Sequence, residues 1–193
     1  MAVLKRGGLV VYPTETAYAL GCDAANDGAV KKIFAVKKRD PSKPLPLIAT
    51  SKTQVSKFCR SSMFARVLAD RFWPGPLTLV MPMKKKGVIA PGAADRAGEA
   101  ALRVSPHPVA RALAKALGRP IVSTSANRSG GGTRYRIAGA LADLGTLPDL
   151  VLDAGPLPPR PPSTIVRCRA GRCDILRSGP ISAEMIRRAL SAC

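Results

Sequence analysis

The sequence predicts an α/β fold with a mixed β-sheet, and two observations support it. Short apolar segments typical of buried strands alternate, through most of the chain, with stretches whose apolar residues have helical spacing. The last three strand-like segments follow one another without a helix, which favours a mixed sheet over a purely parallel one. A length of 193 residues is enough for one sizeable core, so residues 1–193 are expected to form a single domain.

The first half of the chain alternates strands with helices. Residues 9–12, LVVY, are a predicted buried strand that ends at Pro13, because proline lacks the N–H donor that a strand needs. Asp27 is the predicted N-cap of a helix that continues to about Lys38 and has apolar residues along one side. The same criteria predict a strand at 46–50, a helix at 62–71, a strand at 77–82 and a loop at 84–87.

The second half begins with a predicted strand at 102–105 and a helix from His107 to Leu117, with Gly118 as its C-cap. Residues 120–124 are the next predicted strand, and Ser182 is the predicted N-cap of the last helix. The three consecutive strands are placed at 150–154, 164–168 and 174–178, and the proline-rich stretch 154–164 is expected to be an ordered loop between the first two.

Positive charge dominates the composition. The chain has 31 Lys and Arg residues against 12 Asp and Glu, a formal net charge of +19 at pH 7. Such a field predicts an anionic partner, either RNA, a nucleotide or both, although a basic, arginine-rich proteome would raise the same number. The charge indicates an anion without identifying it.

The sequence contains no sign of a membrane or secreted protein. No apolar run approaches the roughly 20 residues of a membrane-spanning helix, and the N-terminal stretch lacks the apolar core and cleavage site of a signal peptide. Five scattered cysteines are typical of reduced thiols, and Cys168 and Cys173 are expected to lie near adjacent strands rather than to bind zinc. We therefore expect a cytoplasmic protein with no membrane partner.

Two hydroxyl-rich segments at predicted strand ends are candidates for a binding site. In YPTETAYALGCD, the trio Thr14, Glu15 and Thr16 follows the first strand, where a polar ligand can be held in a crevice. PIVSTSANRSGGGT (120–133) leads from a strand into hydroxyl groups and glycines, which let backbone N–H groups approach phosphate or ribose oxygens. It has neither the Gly-Lys-Ser/Thr of a P-loop nor the Rossmann glycine pattern.

A cationic segment, VKKRDPSKPL (36–45), follows a predicted helix and contains two stiffening prolines. Arginine presents a planar fork to phosphate oxygens, and lysine presents a compact charge. Each segment taken alone is more often a solvated turn or a flexible loop than a site. Taken together the three favour a cradle for a small polyanion, with a surface turn and a nucleic-acid patch as the alternatives.

The sequence offers no nucleophile or acid–base pair. One histidine, His107, provides no Ser-His-Asp or Cys-His pairing, and no two carboxylates have the spacing of a general acid and base. Catalysis would then depend on positioning and charge neutralisation, as in many phosphoryl and nucleotidyl transfers. Arg103, Ser163 and Arg177, taken individually, are more typical of structural or solvated positions.

Seven motifs follow one another between about residues 8 and 188: YPTETAYALGCD, IFAVKKRDPSKPL, FWPGPLTLV, LRVSPHPVA, PIVSTSANRSG, PSTIV and ILRSGPIS. In these motifs, their order and their spacing, the chain resembles the YrdC-like family in its short, single-domain form. The typical activity of that family is threonylcarbamoyl-AMP synthesis. Because the motifs cover nearly the whole chain in order, the resemblance is far more specific than any one of them.

The resemblance implies a three-layer α/β fold with a twisted mixed sheet flanked by helices and a large basic cavity. It implies that L-threonine, bicarbonate or CO2, and ATP, with Mg2+ on its phosphates, give threonylcarbamoyl-AMP and pyrophosphate. The product would feed the t6A modification of adenosine 37 in tRNA, which a separate transferase complex completes. The basic face is also a candidate site for tRNA or double-stranded RNA.

Positions that match the family's motifs imply three groups of site residues and no metal-ligating side chain. Lys37 and Arg39 would meet the ATP phosphates and act in catalysis, and replacing either by alanine is expected to reduce activity far more than stability. The residues expected to hold the nucleotide and its α-phosphate are Ser123, Ser125, Asn127, Ser163 and Arg177. The residues expected to line the threonine and carbamate side are Thr14, Thr16 and Arg103.

The departures from the family pattern are mild: Asp40 replaces a common proline, SPHP replaces the usual P-D/N-H-P, and the stretch after Gly132 is short. Two alternative functions stay open. Hydrogenase-maturation carbamoyltransferases, which form carbamoyl-adenylate, contain a related domain together with an acylphosphatase-like domain and zinc fingers that this sequence does not show. An RNA-binding module without catalysis would need the charge but not the pattern of hydroxyls, and would show steep salt dependence without turnover.

Overall fold

Ten strands and seven helices make up the part of the chain that the computed structural model describes, residues 1–169 and 171–191. The helices are α1 (Ala2–Lys5), α2 (Asp27–Lys37), α3 (Lys52–Phe58), α4 (Met63–Phe72), α5 (Pro108–Leu117), α6 (Ile137–Leu144) and α7 (Ala183–Leu190). The strands are β1 (Val10–Pro13), β2 (Tyr18–Gly21), β3 (Leu47–Ala49), β4 (Leu77–Pro82), β5 (Glu99–Val104), β6 (Ile121–Val122), β7 (Thr124–Ser125), β8 (Leu150–Val151), β9 (Thr164–Arg169) and β10 (Arg172–Arg177).

The predicted α/β class with mixed pairing is confirmed, but the strands form two sheets rather than one. The four-stranded sheet has the order β7-β2-β1-β8, and the six-stranded sheet has the order β10-β9-β4-β5-β3-β6. Each sheet contains parallel and antiparallel neighbours: β8 is parallel to β1, and β9 is parallel to β4, whereas β1 and β2 are antiparallel. Consecutive β9 and β10 pair antiparallel, as the missing helix between them predicted.

The predicted strand 120–124 changes sheets at Ser123. β6 pairs with β3 in the six-stranded sheet, and β7 pairs with β2 in the four-stranded one. At this junction a Cβ on Gly21 would lie 2.3 Å from the Val122 carbonyl oxygen, so the close approach requires glycine. The Tyr12 hydroxyl donates to the same oxygen at 3.1 Å. The change of sheet therefore brings residues 123–127, the STSAN segment, next to β2.

Strand β1 is buried along its whole length because its two faces belong to two separate apolar clusters. Val11 packs into the larger cluster, which contains most of the core, including Leu79 and Val166. Val10 and Tyr12, which point to the other face, pack into a second cluster with α1 and α5. This explains why LVVY is continuously apolar rather than alternating.

Most helix ends agree with the sequence prediction, with one correction. The N-cap of α2 is Asn26 rather than Asp27, because the Asn26 Oδ1 accepts from the Ala29 N–H at 2.9 Å. Asp27 is instead the first helical residue and pairs with Lys31 one turn on, at 2.7 Å. Gly118 closes α5 in the left-handed conformation, and Ser182 caps α7.

The structure differs from the predicted strands and helices at several places. Four elements were not predicted: α1, β2, α3 and α6. Strand β5 begins at Glu99, earlier than predicted, and the predicted strand 150–154 is reduced to β8 because the Tyr18 hydroxyl hydrogen-bonds the chain around Asp153 and Ala154. The stretch 154–163 is a loop, as expected.

The cysteines of the described residues are free thiols. Cys168 and Cys173 lie opposite each other on β9 and β10 with their sulfurs 3.1 Å apart, which confirms that they lie on adjacent strands. Cys193 lies outside the described residues. Over the same residues, no helix combines the length and the apolar character needed to cross a membrane.

Candidate functional site

A cavity of about 280 Å³ is lined by residues of both sheets and by the loops that follow them. Nine of the ten residues singled out in the sequence line it: Thr14, Thr16, Arg39, Arg103, Ser123, Ser125, Asn127, Ser163 and Arg177. Chain segments more than 100 residues apart in sequence therefore meet at one site. The tenth residue, Lys37, lines an adjoining space of about 450 Å³, which shares Arg39, Ser125, Asn127 and Gly131 with the cavity.

The wall of this cavity is strongly basic. Four arginines line it, Arg39, Arg103, Arg160 and Arg177, and the described lining residues include no Asp or Glu. Positive charge in a concave, partly desolvated site attracts anions. The volume lies near the lower end of the roughly 300–1,000 Å³ typical of small-molecule pockets, and the adjoining space extends it toward the cationic turn.

Lys37 is a buried lysine whose ammonium group holds the STSAN segment. Its Nζ donates to the carbonyl oxygens of Ser125 and Asn127, each at 2.5 Å, and to the Asn127 Oδ1 at 3.2 Å. These three acceptors use all three N–H donors of an ammonium group. Burial, followed by the nearby Arg39, lowers the pKa of Lys37 to about 8, so it is mostly protonated at neutral pH. Direct contact of Lys37 with a phosphate stays a prediction, and it would require one of these bonds to be exchanged.

Asn127 carries this arrangement on into the glycine-rich turn. The Ser125 hydroxyl donates to Asn127 Oδ1 at 2.5 Å, and Asn127 Nδ2 donates to the Gly131 carbonyl at 2.6 Å. The backbone N–H of Ser129 donates to the Lys37 carbonyl at 2.9 Å. The end of α2, the STSAN segment and the turn after it are therefore one hydrogen-bonded unit.

Arg39 reaches the cavity because the chain turns sharply after α2. Lys38 adopts a left-handed conformation (φ 47°), which is uncommon for a residue other than glycine. The Arg39 guanidinium donates to the carbonyl oxygens of Lys43 at 2.9 Å and Pro44 at 3.1 Å. The loop thus holds Arg39 through two backbone carbonyl oxygens, and partial burial lowers the pKa of Arg39.

Arg177 is held against Ser163 in a similar way. Its Nη2 donates to the Ser163 carbonyl at 2.7 Å and to the Ser163 hydroxyl at 3.2 Å. The Ser163 hydroxyl is also 2.8 Å from that of Thr78 on β4. A Cβ on Gly179 would lie 2.5 Å from the backbone of Pro162 and of Thr164. Glycine at this position therefore lets the LRSGP turn (residues 176–180) pack directly on the PST segment (residues 162–164).

Thr14, Thr16 and Arg103 lie on another part of the cavity wall. The Thr14 hydroxyl donates to the Ala17 carbonyl at 2.7 Å and closes the turn between β1 and β2, so it has a structural role as well. The Thr16 hydroxyl is 3.1 Å from that of Thr14 and is only partly buried. Arg103, on β5, forms a buried ion pair with Glu15, and burial lowers the pKa of Arg103 to about 10, so it stays charged at neutral pH.

Among the lining residues that were not singled out as candidates in the sequence are Thr78, Tyr18 and Arg160. Arg160 lies in the proline-rich loop, whose position is fixed by the Tyr135 hydroxyl donating to the Arg160 carbonyl at 3.0 Å. An arginine between two pairs of prolines was the available signal for it. Thr78 carried a weaker one, as a single polar residue in an apolar strand.

Comparison with known proteins agrees with this architecture. A model of the Sua5, YciO and YrdC proteins, described as "Telomere recombination", matches residues 2–179. P. abyssi Sua5 complexed with L-threonine superposes with a TM-score of 0.90 at 32% identity, over 98% of this chain and 55% of that one. This chain thus spans about half the length of P. abyssi Sua5.

Two further structures share the fold at lower identity. E. coli YciO has a TM-score of 0.83 at 24% identity, over 96% of this chain and 89% of its own. Full-length HypF, in its phosphate- and nucleotide-bound form, has a TM-score of 0.78 at 24% identity, over 91% of this chain and 28% of its own. Because the family match extends over most of the sequence, the resemblance is confirmed: the chain belongs to the Sua5/YciO/YrdC family.

Proposed function

We propose that this chain is a nucleotidyltransferase that forms threonylcarbamoyl-AMP and pyrophosphate from L-threonine, bicarbonate or CO2, and ATP. The observation that carries the proposal is the cavity, which four arginines and several hydroxyl side chains line and which has no Asp or Glu among its described lining residues. Such a wall suits a triphosphate together with a carboxylate. The structural similarity to a Sua5 that was solved with L-threonine supports the choice of amino acid.

The reaction would proceed in two steps that need no protein nucleophile. The threonine nitrogen bonds to the carbon of CO2 and loses a proton, which gives a carbamate. A carbamate oxygen then attacks the α-phosphorus of ATP, and the bond from that phosphorus to the bridging oxygen breaks to release pyrophosphate. Negative charge builds up on the α-phosphate and the departing pyrophosphate, so fixed cations lower the barrier.

The side chains take roles according to where they lie. Arg39 and Arg177 would bind phosphate oxygens, with the hydroxyls of Ser163 and Ser123 nearby. Lys37 would act chiefly by holding Ser125 and Asn127 in place for the nucleotide. The residues proposed for the threonine and carbamate side are Thr14, Thr16 and Arg103.

Mg2+ would enter with the nucleotide as MgATP. The described residues include no group of three His, Cys, Asp or Glu side chains placed to hold a metal. Phosphate oxygens and water would supply most of its oxygen ligands, as is common for Mg2+, and the Ser125 hydroxyl and the Asn127 amide are neutral groups that line the cavity.

The product would pass to a separate transferase complex that completes t6A on tRNA, in the cytoplasm where ATP and tRNA meet. The net charge of +19 favours a second candidate function, binding of tRNA or double-stranded RNA, which can coexist with catalysis. Carbamoyl-adenylate formation, the activity of the carbamoyltransferase alternative, would not depend on threonine.

Pyrophosphate release from MgATP tests the proposal, measured with and without L-threonine and bicarbonate. Release that requires both co-substrates is the expected result. Release from carbamoyl phosphate and ATP without threonine would contradict the proposal and favour carbamoyl-adenylate formation instead. No release under any combination, with RNA still bound, would replace it by the RNA-binding function.

A further inference from the structure

Glu15 forms the buried carboxylate partner of a cavity arginine. Glu15 Oε1 contacts Arg103 Nη1, and each of the two side chains is only 8% exposed. The other carboxylate oxygen, Oε2, accepts a hydrogen bond from the Ser105 hydroxyl. That hydroxyl in turn accepts from the backbone N–H of His107 at 3.1 Å. The carboxylate is thus fixed by β5 and by the segment that leads into α5.

Arg103 differs in this respect from the other three arginines of the cavity. Arg39 donates to backbone carbonyl oxygens and Arg177 donates to Ser163, both of which are neutral acceptors. Within the described residues, no Asp or Glu forms an ion pair with Arg39, Arg160 or Arg177. The positive charge of the cavity is therefore uneven: it is compensated at Arg103 and uncompensated at the other three.

We propose, on the basis of the function proposed above, that Glu15 is a positioning residue for the amino-acid substrate. It fixes the Arg103 guanidinium in one orientation and neutralises it. That end of the cavity then accepts a single carboxylate, while the triphosphate is drawn to the uncompensated Arg39 and Arg177. Glu15 acts through Arg103 and does not itself line the cavity.

The physical reason lies in the geometry of the guanidinium group. Arginine recognises a carboxylate through two parallel N–H bonds, and this requires the plane of the guanidinium to be held at a fixed angle. The Glu15 carboxylate, in contact with Nη1, would fix that plane and leave the other N–H groups for the ligand. Without Glu15 the guanidinium would be free to reorient and its charge would be uncompensated, so it would bind phosphate as well as carboxylate.

The test compares Glu15→Gln with the unaltered protein in the pyrophosphate-release assay. The KM for L-threonine is expected to rise about tenfold or more, while the KM for ATP changes by less than about twofold. Pyrophosphate is expected to become a competitive inhibitor against threonine in the variant. Glu184→Gln, which removes an exposed ion-pair partner of Arg188 on α7, is the matched control and should leave both constants unchanged.

A double-mutant cycle separates positioning from a general structural role. If Glu15 acts through Arg103, Glu15→Gln has no further effect on the KM for threonine in an Arg103→Met background. A further rise in that background would overturn the proposal. If Glu15→Gln does not fold, Glu15→Asp, which keeps the charge but retracts it by one methylene, is measured instead, with circular dichroism as the check on folding.

Failure of the Glu15 positioning role and failure of the proposed function would give different results. An unaltered protein with no threonine-dependent release would refute the proposed function itself. An active unaltered protein whose Glu15→Gln variant keeps its KM for threonine, or in which the KM values for threonine and ATP rise together, would refute the positioning role alone.

Discussion

Lys37 and Arg39 lie two residues apart, but their cations have different surroundings. Lys37 is 1% exposed, with three protein acceptors around its ammonium group, whereas Arg39 extends from a surface turn into the cavity and donates to two carbonyl oxygens. The K-x-R spacing produces this difference, because Lys38 in the left-handed conformation ends the helix between them. Lys37 thus holds Ser125 and Asn127 in place, whereas Arg39 lines the cavity.

This contrast changes the expectation that both substitutions affect activity far more than stability. Lys37→Met leaves buried acceptors of the STSAN segment without a donor, and each such group costs about 1–3 kcal/mol. We expect it to lower the free energy of unfolding by at least that amount, and Arg39→Met by less than about 1 kcal/mol, because the acceptors of Arg39 are exposed or only partly buried. Both variants should lose most of their turnover. Urea unfolding followed by circular dichroism measures the difference, and equal losses of stability would contradict it.

At the scale of elements, the turns at the start of β9 and at the end of β10, which present Ser163 and Arg177, depend on a close backbone contact. Gly179 supplies it, since any Cβ there would lie 2.5 Å from the Pro162 carbonyl oxygen and the Thr164 amide nitrogen. These neighbours are backbone atoms and cannot rotate away. A side chain at position 179 must therefore move the LRSGP turn away from β9 and carry Arg177 with it.

We expect Gly179→Ala to raise the KM for ATP by about tenfold and to lower stability by about 1–3 kcal/mol, as overpacking does. Gly139→Ala, in α6, is the matched control, because the nearest atom to its Cβ would be 3.6 Å away and alanine favours a helix. Steady-state kinetics and thermal unfolding of the two variants provide the comparison. Gly179→Ala with an unchanged KM for ATP would show that the turn does not place Arg177 at the nucleotide.

Elements with a cap, a clear period and a breaker were predictable from sequence, and the others were not. α5 combines apolar residues at helical spacing with Gly118 after them, so its end could be predicted. α3 buries only Gln54 and Val55, and α6 has no side-chain cap, so neither produces a readable pattern. β2 lies inside a motif whose hydroxyls indicate a turn, and its pairing with β1 depends on the chain's return rather than on local composition.

The candidate site was predictable as a set of residues but not as a set of contacts. The apolar side of α2 extends to Lys37, which made its burial foreseeable, whereas its partners lie about 90 residues away in the chain. The Glu15–Arg103 pair has the same character, since Glu15 lies in the turn between β1 and β2 of one sheet and Arg103 lies on β5 of the other. Local sequence encodes the residue types at strand ends, and only the packing of the two sheets determines which of them meet.

At the scale of the whole molecule, the positive charge is distributed well beyond the cavity. Lys84, Lys85 and Lys86 are exposed in the loop after β4 and do not line the cavity. Nearer the C-terminal end of the sequence, Arg172, Arg187 and Arg188 are also exposed. If RNA binds to a defined face, one of these groups should matter more than the other. If it responds only to the overall field, the two should be equivalent.

Binding of a short double-stranded RNA between 50 and 200 mM salt distinguishes these cases. We expect the affinity to fall steeply with salt, and replacement of the three lysines by glutamine to reduce the slope by up to about 3, since each lost phosphate contact removes about one unit. The same replacement of the three arginines changes the net charge equally and is the matched control. Neither triple variant should alter the KM for ATP, because none of the six residues reaches the cavity. Equal reductions in slope would mean that RNA senses only the net charge, and a salt-independent affinity would exclude a phosphate-binding face altogether.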